Sequence, residues 1–438
     1  MNTHVRSVSV LSLLSVVVIL ASCGGAPEME IQLTPGLTAF TGARLIIGDD
    51  STVVENGTLV VRDGRIEVAG ASDAVEIPAD AEQIDVSGKT IIPGLINAHG
   101  HVNNVRGLES DPAFYTEEHV ESQLGLYARY GVTTVFSLGG GGAAGVAVRD
   151  RQGADLNHAR LYLSGDVITG DSAEEVATKV NAMADLGVDL IKIRVDDNLG
   201  NTDKMPPEIY SAVIDTATER DLTVAAHLYY LDDAKGLLNA GADLIAHSVR
   251  DVEVDDELVT LLLENNVCYC PTLMREVSTY VYESRPDWFD EPFFLKEADA
   301  AVIEGLSTSE YQEGIQNSSS AQAYKEALEM AKTNLKTLSD AGVGIAMGTD
   351  TGPAGRFQGY FEHGELALMV ESGLSPLRTI AASTGEAARC MGIGDELGTL
   401  EAGKLADFVI LGANPLDDIR NSTTIESVWV AGNQVPGV

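Results

Sequence analysis

The sequence predicts an α/β protein: a (β/α)8 TIM-type barrel over residues 91–394, joined to a small β-sandwich built by both chain ends, residues 37–90 and 395–438. Three observations predict it. Apolar runs of strand length alternate with helical stretches through the middle of the chain, as in a parallel sheet with crossover helices. Eight such strands can be counted, the number that closes a (β/α)8 barrel. Both ends, in contrast, hold short strands separated by turns.

Taken in order, residues 1–22 read as a signal peptide, with Arg6 as its positive end and an apolar run over 8–20. That run is shorter than the ~20 residues a membrane-spanning helix needs. It ends Leu20-Ala21-Ser22-Cys23-Gly24-Gly25, which resembles a bacterial lipobox, where cleavage exposes Cys23 for acylation. An ordinary signal peptide with an incidental cysteine is the alternative. The lipobox resemblance implies a lipoprotein whose residues 23–36 form a tether, and Gly24 in place of Asp implies the periplasmic side of the outer membrane. The expected membrane contact is this lipid anchor alone.

Within the first β-rich segment, strands are expected at 43–47, 57–62, 65–70 and 82–86, with Asn56-Gly57 and Asp63-Gly64 as hairpin turns. The last segment offers strands at 405–411 and 427–435, with Ala431-Gly432-Asn433 as a turn. Between them, barrel strands are placed at 91–101, 133–138, 160–168, 190–195, 223–228, 244–248, 267–273 and 344–347. Helices are expected at 117–130, 173–186, 207–220, 232–240, 255–265, 321–341, 362–372 and 376–391. Ser172-Ala173-Glu174-Glu175 is a capping box, and Pro207 suits a first helical turn. Residues 274–320 form a long polar and aromatic excursion, either a lid or a solvated surface insertion.

Composition narrows the partners. Hydrophobic residues make up 45% and aromatics 5%, so Ala, Val, Leu and Ile must fill a substantial core. The formal net charge of −38 makes nucleic acid a poor partner; a small-molecule substrate is expected from the strand-end residues and the resemblance described next, and a homo-oligomer stays open. Cys268, Cys270 and Cys390 match no zinc spacing and read as buried thiols rather than a disulfide framework.

The chemistry-bearing residues fall at strand ends. His99 and His101 alternate along the first strand and so share a face. The fourth strand carries Lys192, the fifth ends at His227, the sixth at His247, and the eighth runs out to Asp350. In such a barrel the carboxyl ends of the strands form one mouth, so six groups spread over about 250 positions converge there. Two imidazoles on one face can hold a metal ion. A lysine among apolar strand residues is costly as an ammonium, whereas a carbamate derived from CO2 is an anionic oxygen ligand able to bridge two cations.

This set resembles the metal-dependent amidohydrolase superfamily: His-x-His on strand 1, Lys on strand 4, His on strands 5 and 6, Asp on strand 8. The tail Gly398-Thr399-Leu400-Glu401-Ala402-Gly403-Lys404-Leu405-Ala406-Asp407 is similar to a closing phrase of that superfamily. Within it the chain resembles the imidazolonepropionase-like and Xaa-Pro dipeptidase (prolidase-like) group, and Lys192 favours the dipeptidase branch. The resemblance implies a carboxylated Lys192 bridging two divalent ions, one held by His99, His101 and Asp350, the other by His227 and His247. Zinc suits these ligands first, with manganese or cobalt as alternatives. Two ions about 3.5–4 Å apart lower the pKa of a shared water toward neutral, giving a metal-bridged hydroxide, and polarise a carbonyl. Asp350 is the expected catalytic residue, taking that water's proton and passing it to the leaving amine.

Other features are read more plainly. His119 and His158 are expected to be solvated, and His363 to begin a helix near the mouth. Gly140–Gly145 spells G-x-G-x-x-G, but no helix clearly opens there, so a mouth loop is preferred to a dinucleotide site. Tyr229 is a candidate substrate contact, since relatives often place a His or Tyr there, and Arg275 or Arg285 could grip a substrate carboxylate. After Lys192 the chain reads Arg194-Val195-Asp196-Asp197, whereas prolidase-like relatives often carry a Ser-Gly-Gly phrase nearby, a departure bearing on dipeptide specificity. The expected reaction is hydrolysis of an amide or peptide C–N bond in a dipeptide or N-acyl amino acid. Alternatives are a cyclic-amide or lactone hydrolase, a non-catalytic metal- or solute-binding lipoprotein of the same fold, and a structural envelope protein.

Overall fold

The computed structural model describes residues 36–153 and 155–438. The signal peptide, Cys23 and all but the last residue of the tether lie outside these. Among the described residues no helix is long and apolar enough to cross a membrane.

Both chain ends meet in one sheet of eight strands. Leu37–Ile46 runs antiparallel to Val53–Arg62 and parallel to Glu82–Asp85 and Thr90–Pro93. Thr90–Pro93 in turn pairs with Phe408–Leu411, and this with Ile425–Val430, so residues more than 300 positions apart share a ladder. Register shifts around Ala43 bend the first strand, and Phe40 packs its ring 5.0 Å from Phe408 and 5.1 Å from Trp429. Asp63-Gly64 forms the expected tight turn, both residues with positive φ (49° and 77°) as the mirror-image hairpin turn demands. Asn56-Gly57 does not turn. It lies inside Val53–Arg62, where Gly57 lets Leu45 approach so closely that a Cβ would sit 2.5 Å from Leu45 Cγ.

The middle of the chain is α/β with parallel strands. Leu95–Gly100, Val132–Ser137 and Arg160–Leu163 form one ladder. Val167–Ile168, Ile191–Arg194, Val224–His227, Leu244–Ala246 and Cys268–Cys270 form a second. The single third strand expected over 160–168 is split where Gly165 takes φ +66°. Residues 344–347 are held by a bridge between Tyr269 and Ile345 and by Ala98 N–H donating to Met347 O (2.8 Å), which links the last segment back to the first strand.

Helices start and stop for local reasons. Ser172 caps Ala173–Leu186 by accepting from Glu175 N–H, Val176 and Val180 face the core one turn apart, and Gly187 at φ +85° ends it. The expected helix over 376–391 is two, Pro376–Ala382 and Gly385–Cys390. A helix also opens at Ala143–Asp150, where the glycine-rich phrase suggested none; its cap Gly142 offers no side chain, which hid it from a search for capping residues.

The segment after Cys270 is not a solvated insertion. It forms Leu273–Tyr280, Ala300–Leu306 and Ser309–Gln316 around a small aromatic core in which Tyr282, Phe289 and Phe294 are buried and Trp288 meets Phe289 and Phe294 edge to face. Cys268 and Cys390 are not free thiols but a disulfide, with Cα atoms 5.7 Å apart; Cys270 is free and buried. Distance in sequence, 122 positions, concealed a pair that the fold places side by side.

Candidate metal centre

Leu95–Gly100 is buried throughout, and its last turnout places His99 and, one residue beyond, His101 in the same pocket. His101 Nε2 lies 2.6 Å from Asp350 Oδ1, and His99 Nε2 lies 3.6 Å from the same oxygen. The donor atoms of His99, His101 and Asp350 all fall within 4.8 Å of one another, a spacing one cation can span. The His99 and His247 rings are 4.5 Å apart and those of His247 and His227 4.2 Å, so the second pair of imidazoles adjoins the first. Lys192 Nζ reaches 3.3 Å from His99 Nε2. The six residues singled out from sequence therefore meet in one buried place.

The electrostatics suit metal ligands. Burial drives His99 and His247 well below the ordinary imidazole range and His227 down to about 3, so all three are neutral lone-pair donors. Burial also pushes the Lys192 ammonium down to about 8. On its own burial would raise the Asp350 carboxyl, but the guanidinium of Arg356 and the imidazole of His101 outweigh it and keep Asp350 well below the usual range. His99 Nδ1 is sealed from solvent without a hydrogen-bond partner, while its Nε2 faces Asp350 and Lys192 in the pocket, and His227 Nε2 faces the Asp196 carboxylate at 3.2 Å.

Several supporting residues carried no sequence signal. Thr272 Oγ1 sits 2.6 Å from His247 Nδ1 and so fixes which ring nitrogen of His247 is left for the pocket. Glu362 accepts from Asn97, Thr349 and Thr351 at 2.5–2.9 Å, a buried knot that ties the first strand to the segment bearing Asp350. His247, Thr272 and Asp350 all have positive φ (81°, 49° and 58°), and for β-branched Thr272 this is strained. Asp196 was visible only as a departure from Ser-Gly-Gly; its Oδ2 is 3.2 Å from His227 Nε2.

The other residues named from the sequence have these surroundings. His363 does not reach the pocket: its ring nitrogens meet Tyr130 O and Ser422 Oγ, both at 2.8 Å. His119 and His158 are half-buried rather than solvated, each on a backbone carbonyl at 2.9 Å. Tyr229 is buried with its ring 4.6 Å from the Arg250 guanidinium and beside Tyr324. Arg275 is buried against Glu276, while Arg285 pairs with Asp290 at the surface.

Residues 90–435 match the model of the Amidohydrolase family. Ochratoxinase of Aspergillus niger is 26% identical over 285 residues, 63% of this chain but only 52% of that protein, so this chain matches about half the relative's length. Imidazolonepropionase of Mesorhizobium japonicum is 26% identical over 410 residues, covering 86% of this chain and 92% of that one. Among solved structures, a candidate prolidase from Bifidobacterium longum superposes with a TM-score of 0.72 at 27% identity, over 92% of this chain and 95% of its own. The matched span takes in His99, His101, Lys192, His227, His247 and Asp350 together with both halves of the terminal sheet from residue 90 onward, and the chain belongs to the amidohydrolase family.

Proposed function

We propose that this chain is a binuclear metal hydrolase that cleaves an amide or peptide-like C–N bond in a dipeptide or N-acyl amino acid. One observation carries the reading. Lys192, buried on a strand, meets the neutral imidazole of His99 at 3.3 Å and has lost most of its preference for the charged form. Lowering Lys192 from its ordinary 10.5 to about 8 raises the share of neutral amine that carbamate formation with CO2 requires, and the carbamate supplies the anionic oxygens that a pair of cations needs.

On this reading His99, His101 and Asp350 hold one ion, His227 and His247 the other, and carboxylated Lys192 lies between them. The ions, zinc first and manganese or cobalt otherwise, supply an acidified water and a polarised carbonyl when bound. Asp350 is the proton carrier. Arg356 keeps it ionised from the Oδ2 side, so it is ready to take a proton at Oδ1 and release it to the departing amine. Tyr229 is assigned to the substrate side, where its phenol can meet the scissile carbonyl. The two parallel ladders and the link from Ala98 to Met347 support a closed eight-stranded barrel over 91–394, with 37–90 and 395–438 as the accessory domain.

We also infer export. The leader and Cys23 carry that reading, and the Cys268–Cys390 disulfide supports it, because such bonds persist in oxidising compartments. The likeness to a candidate prolidase supports a dipeptide-like substrate, and the likeness to an imidazolonepropionase keeps a cyclic amide as the second reading.

The test is metal analysis with a panel of dipeptides and N-acyl amino acids, repeated on Lys192→Ala and Asp350→Asn. Both variants should remain folded and lose at least ~100-fold in kcat/KM, since each removes an anionic metal ligand and Asp350→Asn also removes the proton carrier. Rates like those of the unaltered protein would sink the assigned roles. Stoichiometric metal with no turnover on any substrate would favour a binding protein instead.

A further inference from the structure

We propose that Asp196 is a carboxylate ligand of the ion held by His227 and His247; this rests on the binuclear reading above. Asp196 lies two residues beyond Ile191–Arg194, on the same strand end that presents Lys192. Its side chain is wholly buried. Oδ1 accepts from Arg194 Nε at 2.7 Å, which anchors the carboxylate and leaves Oδ2 free to face His227.

Oδ2 and His227 Nε2 approach to 3.2 Å, yet neither makes a hydrogen bond although both are sealed from solvent. The carboxylate either orients the ring of His227 through this charge-assisted contact or shares an ion with it, and the distance distinguishes a pair able to share one. Donors bound to one ion at about 2.1 Å, with angles between about 90° and 109°, are separated by roughly 3.0–3.4 Å. The observed 3.2 Å lies inside that interval.

Without Asp196, the second ion would be held by two neutral imidazoles and a share of the Lys192 carbamate. The first has two imidazoles, a share of the same carbamate, and the Asp350 carboxylate. A carboxylate from Asp196 would even the two sites in charge and in ligand number.

The experiment uses the full mature protein loaded with zinc. Bound metal is counted by mass spectrometry, and its affinity is measured by competition with a chromogenic chelator, for the unaltered protein, Asp196→Asn and Asp197→Asn. The neighbouring Asp197 accepts from Tyr230 Oη and serves as the control. Two ions are expected in the unaltered protein and in Asp197→Asn. In Asp196→Asn one of the two should be lost or bound at least ~10-fold more weakly, with the other retained. Two ions at unchanged affinity in Asp196→Asn would overturn this proposal and leave the hydrolase reading standing; no metal in the unaltered protein would overturn both. Because a carboxylate that merely orients His227 would also weaken binding, a zinc-loaded crystal structure of the unaltered protein decides between the two. An Asp196 oxygen within about 2.2 Å of an ion supports the proposal, and one beyond about 3 Å refutes it.

Discussion

Asp407 should be among the most costly single positions in the chain, although it touches nothing in the metal pocket. It closes the terminal phrase Gly398–Asp407 and reaches across to Arg160 on the strand Arg160–Leu163, two parallel contacts of 3.1 Å with both side chains at most 4% exposed. Its Oδ1 also accepts from Ala431 N–H at 2.7 Å, and its carbonyl accepts from Gly94 N–H at 2.9 Å. Thus one residue ties the C-terminal sheet strands to a strand of the central fold. Asp407→Asn keeps the shape and one oxygen, but turns an amide N–H toward the guanidinium and strands Arg160 as a buried, uncompensated charge. Breaking a buried pair from one side costs roughly 3–5 kcal/mol, and the geometry here, bidentate and dry, belongs at the upper half of that interval. Arg160→Met should cost a similar amount, and the double variant Arg160→Met/Asp407→Asn much less than the sum, because no orphaned charge remains. Urea unfolding followed by fluorescence is well placed to read this, since the chain has two tryptophans and Trp429 sits in the terminal sheet. A loss under about 1 kcal/mol for Asp407→Asn, or strict additivity in the double variant, would refute the reasoning.

His363 should make the protein sensitive to acid. Burial lowers its pKa from an ordinary 6.5 to about 4, so the unfolded chain binds the proton first; the stability it contributes is full above about pH 6.5 and is lost as pH falls toward 4. The difference is on the order of 3 kcal/mol, and His363→Gln should show a flatter fall of Tm between pH 7 and 4; parallel curves would remove His363 from the account. The Cys268–Cys390 bond closes 122 positions, which the chain-entropy model values at up to roughly 5 kcal/mol. Unfolding without reductant should leave Cys270 as the sole alkylated residue among Cys268, Cys270 and Cys390, and reduction should lower Tm while sparing turnover; labelling of all three in unreduced protein would show that the bond does not form.

What could be read from the sequence, and what could not, follows from how far each signal travels along the chain. His99 and His101 are two residues apart on a strand, and alternation alone sets them on one face. Lys192, His227, His247 and Asp350 each sit at or near the end of a short apolar run, so a rule about strand ends gathers them without any knowledge of their mutual distances. Thr272 and Glu362 could not be gathered this way. Thr272 follows Pro271 as one more polar residue after a strand, and only its left-handed backbone and its 2.6 Å contact with His247 give it meaning. Glu362 lies on a helix whose apolar and polar residues show no clean stripe, and its three partners come from the first strand and from the segment around Asp350.

The two Asn-Gly and Asp-Gly pairs make the same point at short range. Asp63-Gly64 and Asn56-Gly57 are equally good turn formers by composition. The first turns because its flanks, Val53–Arg62 and Arg65–Ala71, pair immediately on either side. The second stays extended because Gly57 is matched to Ala43 on one neighbour and Ala71 on the other, and the bulge at Ala43 needs a residue without a side chain opposite it. A dipeptide's preference amounts to about 1 kcal/mol, while a strand paired on both sides gains a ladder of hydrogen bonds worth about 0.5–1.5 kcal/mol each. Tertiary pairing therefore wins wherever a turn signal falls in the middle of a paired strand, and the same inequality bears on Asp196: backbone ladders fix the strand end at Arg194↔His227 whatever side chain follows, which leaves the identity of that side chain free to serve the pocket.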